Sequence, residues 1–411
     1  MEKVSKIAVI GNFLPRKCGI ATFTTDLTHA FKQYNPKLEC HVIAMNDNPT
    51  GYAYPANVKF EIYQNNRDDY HQAAEYLNYH NFEVVSLQHE YGIFGGECGE
   101  YIIHLLEELK LPVVTTLHTV LSQPSTKQYE VLKKICDISA RVVVMAEKGK
   151  EFLTSIYGIP ENKIKLIHHG IPEFPFIDPY FYKEKLQFSG RRVILTFGLI
   201  SSNKGIEYML QAMPQIIAHH PDVMYVVLGA THPHVIAHEG DRYRKQLESL
   251  VSDLRLENYV RFVNRFVSQE ELHEYLSATD IYVTPYLSEN QITSGTLSYA
   301  LGLGKAVVST PYYHAKEILS EGRGILVNFR DEKSLSQAII RLLNDSEERN
   351  AIRKRAYLFS QQFCTWPKVA ALYLDLFDEI KSNKLRSRYI FNEIKLEKRG
   401  EISLPELNID H

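Results

Sequence analysis

Four loops and one helix entry gather the residues able to do chemistry. The stretch SENQITSGTLSYALGLGKAVVST (288–310) sets Glu289 and Gln291 just ahead of Ser294, Gly295 and Thr296, where a helix should start. A helix N-terminus leaves backbone N–H groups unpaired and carries partial positive charge, so it attracts a phosphate or carboxylate. The same residues also suit an ordinary strand–loop–helix join with Ser294 as cap. In FGLISSNKGIEYML (197–210), Lys204 and Gly205 begin another helix. A lysine there is electrostatically unfavourable unless an anion sits against it, which argues for a ligand. His118 ends the run VVTTLH, and a strand terminus suits a working histidine better than a structural one. GNFLPRKCGIATF (11–23) brings Gly19 to a helix start, either open to an anionic group or serving loop shape alone. It is not GxGxxG, which argues against a nicotinamide or flavin site. QHEYGIFGGECGEY (88–101) sets glycines among aromatics, either a sugar-stacking or phosphate-approaching loop or a structural turn with Glu90 and Glu97 solvated. His232, His234 and His238 lie near Glu239 and Asp241, a spacing that permits a metal. No cysteine or second histidine pair supports one there, and no metal is expected.

Short β-branched runs must position these loops. Strands are expected at 6–11, 40–45, 83–88, 112–118, 141–146 and 163–168, most separated by helices; Ile20, Phe23, Leu27, Phe31 and Tyr34 mark the first helix. The pattern breaks at 170–190, a stretch with three prolines that suits an interdomain connection. It restarts with strands at 192–198, 224–230, 259–264, 280–286, 305–310 and 324–329. Such βαβ alternation implies parallel sheets covered on both faces, with ligands beyond the carboxyl ends of the strands. From 331 the chain reads helical with one break near 363–367; Val369, Leu372, Tyr373, Leu376 and Ile380 mark a helix over 368–381. From Ser382 a short helix and a loose end are expected.

The 411 residues favour two to three domains, and 45% hydrophobic with 23% charged residues is ordinary for a soluble globular chain. A net charge of −3 gives no reason to expect nucleic acid as a partner. Five dispersed cysteines read as free thiols in a reducing compartment. No run reads as a signal peptide or a membrane span, so a cytoplasmic protein is expected, with a peripheral membrane contact left open.

These segments, on two sequential βαβ domains, resemble the GT-B glycosyltransferases of family 4 (glycosyl transferases group 1). The resemblance runs from Lys6 to about Ile380 and is strongest across 192–345, where GLISSNKG fills a G-x6-G motif and a helix entry leads to YALGLGKAVVST. QHEYGIFGGE, TTLHT, GATHPHV and QITSGTL together resemble one subgroup. The resemblance implies an α/β fold of GT-B architecture, two Rossmann-like domains facing a cleft. The domains would be 1–175 on the acceptor side and 190–365 for the nucleotide sugar. Residues 366–381 would cross back to the first domain, and 382–411 would form an extension. It further implies transfer, with retention, of a hexose (mannose or glucose) from a GDP-, UDP- or ADP-linked donor to a carbohydrate or other hydroxyl acceptor, without cofactor or metal. Three positions depart from the family. Leu199 stands where the family has Arg, and its E-x7-E pair falls on Gln291 and Tyr299, with Glu289 two residues out of register. His118, Lys204 and Gln291 are therefore expected to carry the chemistry. Gly19, Lys204, Glu289, Ser294, Gly295, Thr296 and Tyr299 are expected to hold the donor, with Arg265 the candidate replacement for the missing Arg. Two other readings compete: a non-catalytic nucleotide-sugar-binding protein, and a GT-B phosphorylase or epimerase.

Overall fold

The computed structural model describes residues 3–231 and 240–397, with side chains as far as Asn383. His232, His234, His238 and Glu239 lie outside the described residues.

The first half interleaves β1 (Lys6–Gly11), α1 (Gly19–Tyr34), β2 (Glu39–Asn46), β3 (Val58–Tyr63), α2 (Arg67–Tyr79) and β4 (Val84–His89). It continues with α3 (Ile102–Glu108), β5 (Val113–Leu117), α4 (Thr126–Ile138), β6 (Arg141–Val144), α5 (Glu147–Ser155) and β7 (Ile164–Leu166). These strands form one parallel sheet in the order β3-β2-β1-β4-β5-β6-β7. Every residue of β4 and β5 is buried, as expected of central strands covered by helices on both faces. After α6 (Tyr180–Lys183), a second unit follows: β8 (Arg192–Phe197), α7 (Ile206–His219), β9 (Val223–Leu228), α8 (Arg242–Asp253), β10 (Val260–Val263), α9 (Gln269–Ser277), β11 (Ile281–Thr284), α10 (Gly295–Gly302), β12 (Ala306–Ser309), α11 (Tyr313–Ile318) and β13 (Ile325–Leu326). Its parallel sheet runs β10-β9-β8-β11-β12-β13. The strand order reverses between β1 and β4 and between β8 and β11, and a crevice opens at such switch points.

Each expected strand is present within a few residues, though the last shrinks to Ile325–Leu326. Strand β3 was not expected. Its sequence VKFEIY alternates apolar and polar residues and only Ile62 is fully buried, as suits an edge strand. The proline-rich connection includes the four-residue helix α6 and is not wholly irregular: Phe188 is completely buried, and Lys183 pairs with Asp280 at 2.7 Å.

Helices α12 (Glu332–Asn344) and α13 (Ser346–Phe363) close the second domain, and α14 (Trp366–Glu397) returns to the first. Tyr373 and Phe377 pack edge-on to Phe31 of α1, and the Tyr373 hydroxyl lies 2.9 Å from Thr116 Oγ1. The helix runs well past the expected 381. The two segments that cross between the sheets are tied to each other: Ile171 N donates to Cys364 O and Trp366 N to Ile171 O. A Cβ on Gly170 would stand 2.1 Å from the Trp366 ring, so only glycine allows this crossing to close. Cys136 and Cys364 are buried thiols, and Cys18, Cys40 and Cys98 are free and partly buried. Among the described residues no helix is long and apolar enough to cross a membrane.

Candidate active site

The second sheet delivers three loop ends to one place. After β8 the chain turns through Gly198 and a short helical turn, Ser202–Lys204, before α7 starts at Ile206. Gly205, between them, has φ +61°, and a Cβ there would meet Pro285 O at 2.1 Å. That close approach brings Lys204 beside the end of β11, with its Nζ 3.9 Å from the centre of the Tyr286 ring. No carboxylate pairs with this ammonium among the described residues; a ring face holds it instead.

Tyr286 continues to the helix entry. Its hydroxyl lies 2.9 Å from Thr296 Oγ1, which lies 3.1 Å from Ser294 Oγ. Ser294 caps α10, its Oγ accepting the Leu297 N–H. The Ser294 N–H donates to His314 Nδ1 at 3.0 Å. Among the described residues nothing accepts the next two amides, of Gly295 and Thr296. A Cβ on Gly295 would stand 3.0 Å from His169 Nε2, and one on Gly198 would press Thr296 Cγ2 at 3.2 Å. Unpaired N–H groups, the positive end of a helix and a cation thus converge. Ser294, Gly295, Thr296 and Lys204 lie together.

His118, of the first domain, connects to this cluster through Phe23, whose ring meets both His118 and the His169 that lies against Gly295. The His118 Nε2 is 3.1 Å from Gln88 Oε1, and Phe23 meets the His118 ring edge-on at 4.8 Å. A carbonyl oxygen can only accept, so Nε2 carries the proton and Nδ1 keeps its lone pair. Burial, aided by His169 and His89, pushes His118 down to about 3, so the ring is neutral. His169, on the crossing segment, donates Nδ1–H to Gly170 O at 2.7 Å, is held at about 4 by burial, and turns a bare Nε2 toward Gly295. Gly19 opens α1 on the same side, and a Cβ there would touch nothing within 4 Å. The glycines of the loop after β4 serve backbone shape: a Cβ on Gly95 would stand 1.8 Å from Gln64 O, and Gly96 and Gly99 have positive φ. Glu97 is exposed, but Glu90 is partly buried rather than solvated.

Three expected donor residues do other work here. The Tyr299 hydroxyl donates to Asp26 Oδ2 of α1 at 2.9 Å, and Gln269 Nε2 donates to the other oxygen at 2.8 Å. This ties the two domains and leaves that hydroxyl no free proton for a donor. Arg265 is exposed, forks onto Glu271, and follows β10, two strands from β8. Glu289 pairs with Lys316 on the rim of a groove of about 800 Å³ also lined by Lys148, Tyr313 and Glu317. Gln291 is partly buried, with Nε2 donating to Thr293 O at 3.0 Å. Asp26, Tyr286, His169 and His314 were missed. Only Tyr286, an aromatic at a strand end, left any trace in the sequence.

The Asp26–Tyr299 contact predicts a modest phenotype. Tyr299→Phe should lower the thermal midpoint by a few degrees, because one partner of a half-buried carboxylate is lost at a cost of about 1 kcal/mol. Nucleotide affinity should stay within about threefold in that variant, measured by titration calorimetry, since one lost hydrogen bond outside the ligand leaves binding little changed. A loss of tenfold or more would return the hydroxyl to the donor.

The description "Glycosyl transferases group 1" matches residues 181–359, and "Glycosyltransferase Family 4" matches residues 18–173. An uncharacterized glycosyltransferase of Methanocaldococcus jannaschii is 25% identical over 323 residues, covering 72% of this chain and 79% of that one. A GDP-mannose-dependent phosphatidylinositol monomannoside mannosyltransferase of Corynebacterium glutamicum is 27% identical over 176 residues, 41% of this chain and 43% of that protein. In three dimensions the chain is similar to Anabaena HepE, whose structure was determined in complex with UDP and glucose. The TM-score is 0.74 at 16% identity, over 91% of this chain and 100% of that one. With two parallel-sheet domains facing each other across these loops and both family descriptions matched in order, the chain belongs to the GT-B glycosyltransferases of family 4, group 1.

Proposed function

We propose that the protein is a retaining hexosyltransferase that takes mannose or glucose from a nucleotide diphosphate sugar and passes it to a hydroxyl acceptor entering from the first domain. One observation carries the reading: among the described residues the Lys204 ammonium pairs with no carboxylate, and Tyr286, whose ring it covers, reaches by its hydroxyl to Thr296 Oγ1 at the helix entry, where the Gly295 and Thr296 amides have no partner. This is an anion cradle made of a cation and a helix N-terminus. The nucleotide diphosphate fits it, and the cradle gains strength as the anomeric C–O bond breaks and charge develops on the diphosphate. That positive charge comes from the chain itself, so the proposal asks for no cofactor. The UDP and glucose bound to HepE and the GDP-mannose dependence in the mannosyltransferase's name support the donor class.

In this reading His118 is a lone-pair acceptor for a sugar hydroxyl, since a neutral ring with a protonated Nε2 cannot act as a cation. Gln291 Oε1 takes a second hydroxyl from the opposite wall, and the acceptor's proton leaves on the departing diphosphate. Orientation and leaving-group stabilisation do the work. Gln291→Ala should lose about tenfold in kcat with saturating donor, the worth of one well-placed hydrogen bond. Glu289→Ala, altering an exposed ion pair, should behave like the parent. If Glu289→Ala abolishes turnover and Gln291→Ala does not, the carboxylate has moved rather than vanished. The tethering of Gln291 to Thr293 O favours a second reading, a binder without turnover. A donor nucleotide that raises the thermal midpoint with no sugar released or transferred would select it.

A further inference from the structure

Resting on the transferase reading, we infer that Glu90 and Thr119 form the floor of the acceptor subsite, and that the acceptor presents an uncharged, hydroxyl-bearing face to them. Glu90 follows β4 and Thr119 follows β5, adjacent strands beside the switch point of the first sheet. Ligands enter such sheets there. Thr119 Oγ1 donates to Glu90 Oε2 at 2.6 Å, and the Tyr91 N–H donates to Oε1 at 3.0 Å. Each carboxylate oxygen keeps further acceptor capacity. Burial raises the Glu90 carboxyl above its ordinary value, yet the residue stays partly open.

A structural role covers only part of this. The carboxylate does cap the short turn at Tyr91–Ile93, but an asparagine or serine caps as well without burying a charge. Among the described residues no cation pairs with Glu90, and its charge is met by neutral donors alone. Cations on the neighbouring loops are engaged elsewhere: Arg16 with Asp47, Lys127 with Glu100, and Arg67 over the Tyr101 ring. Lys17 is exposed rather than at the floor. A phosphate or carboxylate brought here would meet a like charge with no compensation, whereas a hydroxyl donates into free lone pairs.

The position also suits transfer. Thr119 adjoins His118, and Ser122 Oγ of the same loop donates to Asn290 Oδ1 at 3.1 Å, next to Gln291. A hydroxyl on Glu90 would therefore lie in the region where His118 and Gln291 hold the donor sugar.

The test uses the full chain with UDP-glucose and GDP-mannose as donors. Its acceptor probes are methyl glucosides and mannosides, together with their 6-phosphates and the matching uronates. Neutral probes should be used with kcat/KM at least about tenfold above the anionic ones. Glu90→Gln, nearly isosteric, able to accept the Tyr91 N–H and to donate to the Thr119 hydroxyl in reverse, should raise the acceptor KM about tenfold and shrink the discrimination against anions. Thr119→Val should raise the same KM. In both variants the midpoint shift given by UDP or GDP should match the parent's, which shows an intact fold and donor site. Preference for a phosphorylated or uronate probe, transfer to none of the neutral ones, or unchanged KM and discrimination in Glu90→Gln overturns the inference. A parent whose midpoint neither UDP nor GDP moves overturns the transferase reading beneath it, and the two failures are thereby told apart.

Discussion

Lys204→Ala should bind UDP or GDP at least about thirtyfold more weakly than the parent and lose two to three orders of magnitude in kcat/KM. The first figure corresponds to about 2 kcal/mol, the scale of a charge-assisted contact to an anion in a half-closed cleft. The second adds the part of the interaction that grows as charge develops on the leaving diphosphate; losing one preorganised donor of that kind costs about 10²–10³ in kcat. The fold should survive. Among the described residues Lys204 contributes a ring contact with Tyr286 and no ion pair, so its loss costs about 0.5–1 kcal/mol. Titration calorimetry gives the affinity, and a thermal scan of the unliganded variant gives the control. Unchanged nucleotide affinity in a folded variant would place the diphosphate elsewhere. Lys204→Arg should recover part of the binding, because charge is kept and the guanidinium can stack on the ring, while its planar fork places the donors elsewhere than the compact ammonium does.

The strands and the helix entry at Ser294 were legible in the sequence for a shared reason: both are local. A buried parallel strand is a continuous apolar run, and a cap followed by free amides is spelled by Ser294-Gly295-Thr296 within three residues. The same locality explains β3, missed because an edge strand needs only half the apolar content. What the sequence withheld is partnership across long separations. Asp26 and Tyr299 stand 273 residues apart, and nothing in either stretch announces that they meet. Reading Tyr299 in the register of the family's second acid made it a donor residue; the packing of α1 against α10 made it an interdomain tie. Arg265 failed similarly. A strand end is a necessary address for a ligand-binding cation, but strand order decides whether it is near enough, and β10 lies at the edge of the sheet. The sequence leaves Glu90 open between a ligand-approaching loop and a solvated turn, because burial of one turn residue depends on Thr119 and the loop beyond it.

Thermal stability should fall steeply as pH drops from 7 to 5 and stay nearly flat from 7 to 8.5. Four histidines are held neutral by burial: His89, His118 and His314 at about 3, and His169 at about 4, against an ordinary 6.5. A histidine neutral in the fold binds fewer protons than it does in the unfolded chain. Unfolding therefore takes up protons once the pH passes below about 6.5, and the stability these residues contribute above that value is lost as pH falls toward their folded values. At pH 5 each such residue would cost about 2 kcal/mol if its shift were fully expressed. Even half of that, summed over four, comes to about 4 kcal/mol, close to the lower end of the 5–15 kcal/mol that holds a domain together. Local chemistry points the same way. Protonating His314 at Nδ1 breaks its bond from the Ser294 N–H. Protonating His169 puts a cation against the positive end of α10. His89 has no partner on either ring nitrogen and nowhere to place a charge. Scanning calorimetry between pH 5 and 8.5 measures the dependence, and His89→Leu, which replaces an unpartnered buried ring by an apolar side chain, should make the acid limb shallower. A midpoint that is level from pH 7 to 5 would mean that water reaches these rings and that the cleft floor opens in solution.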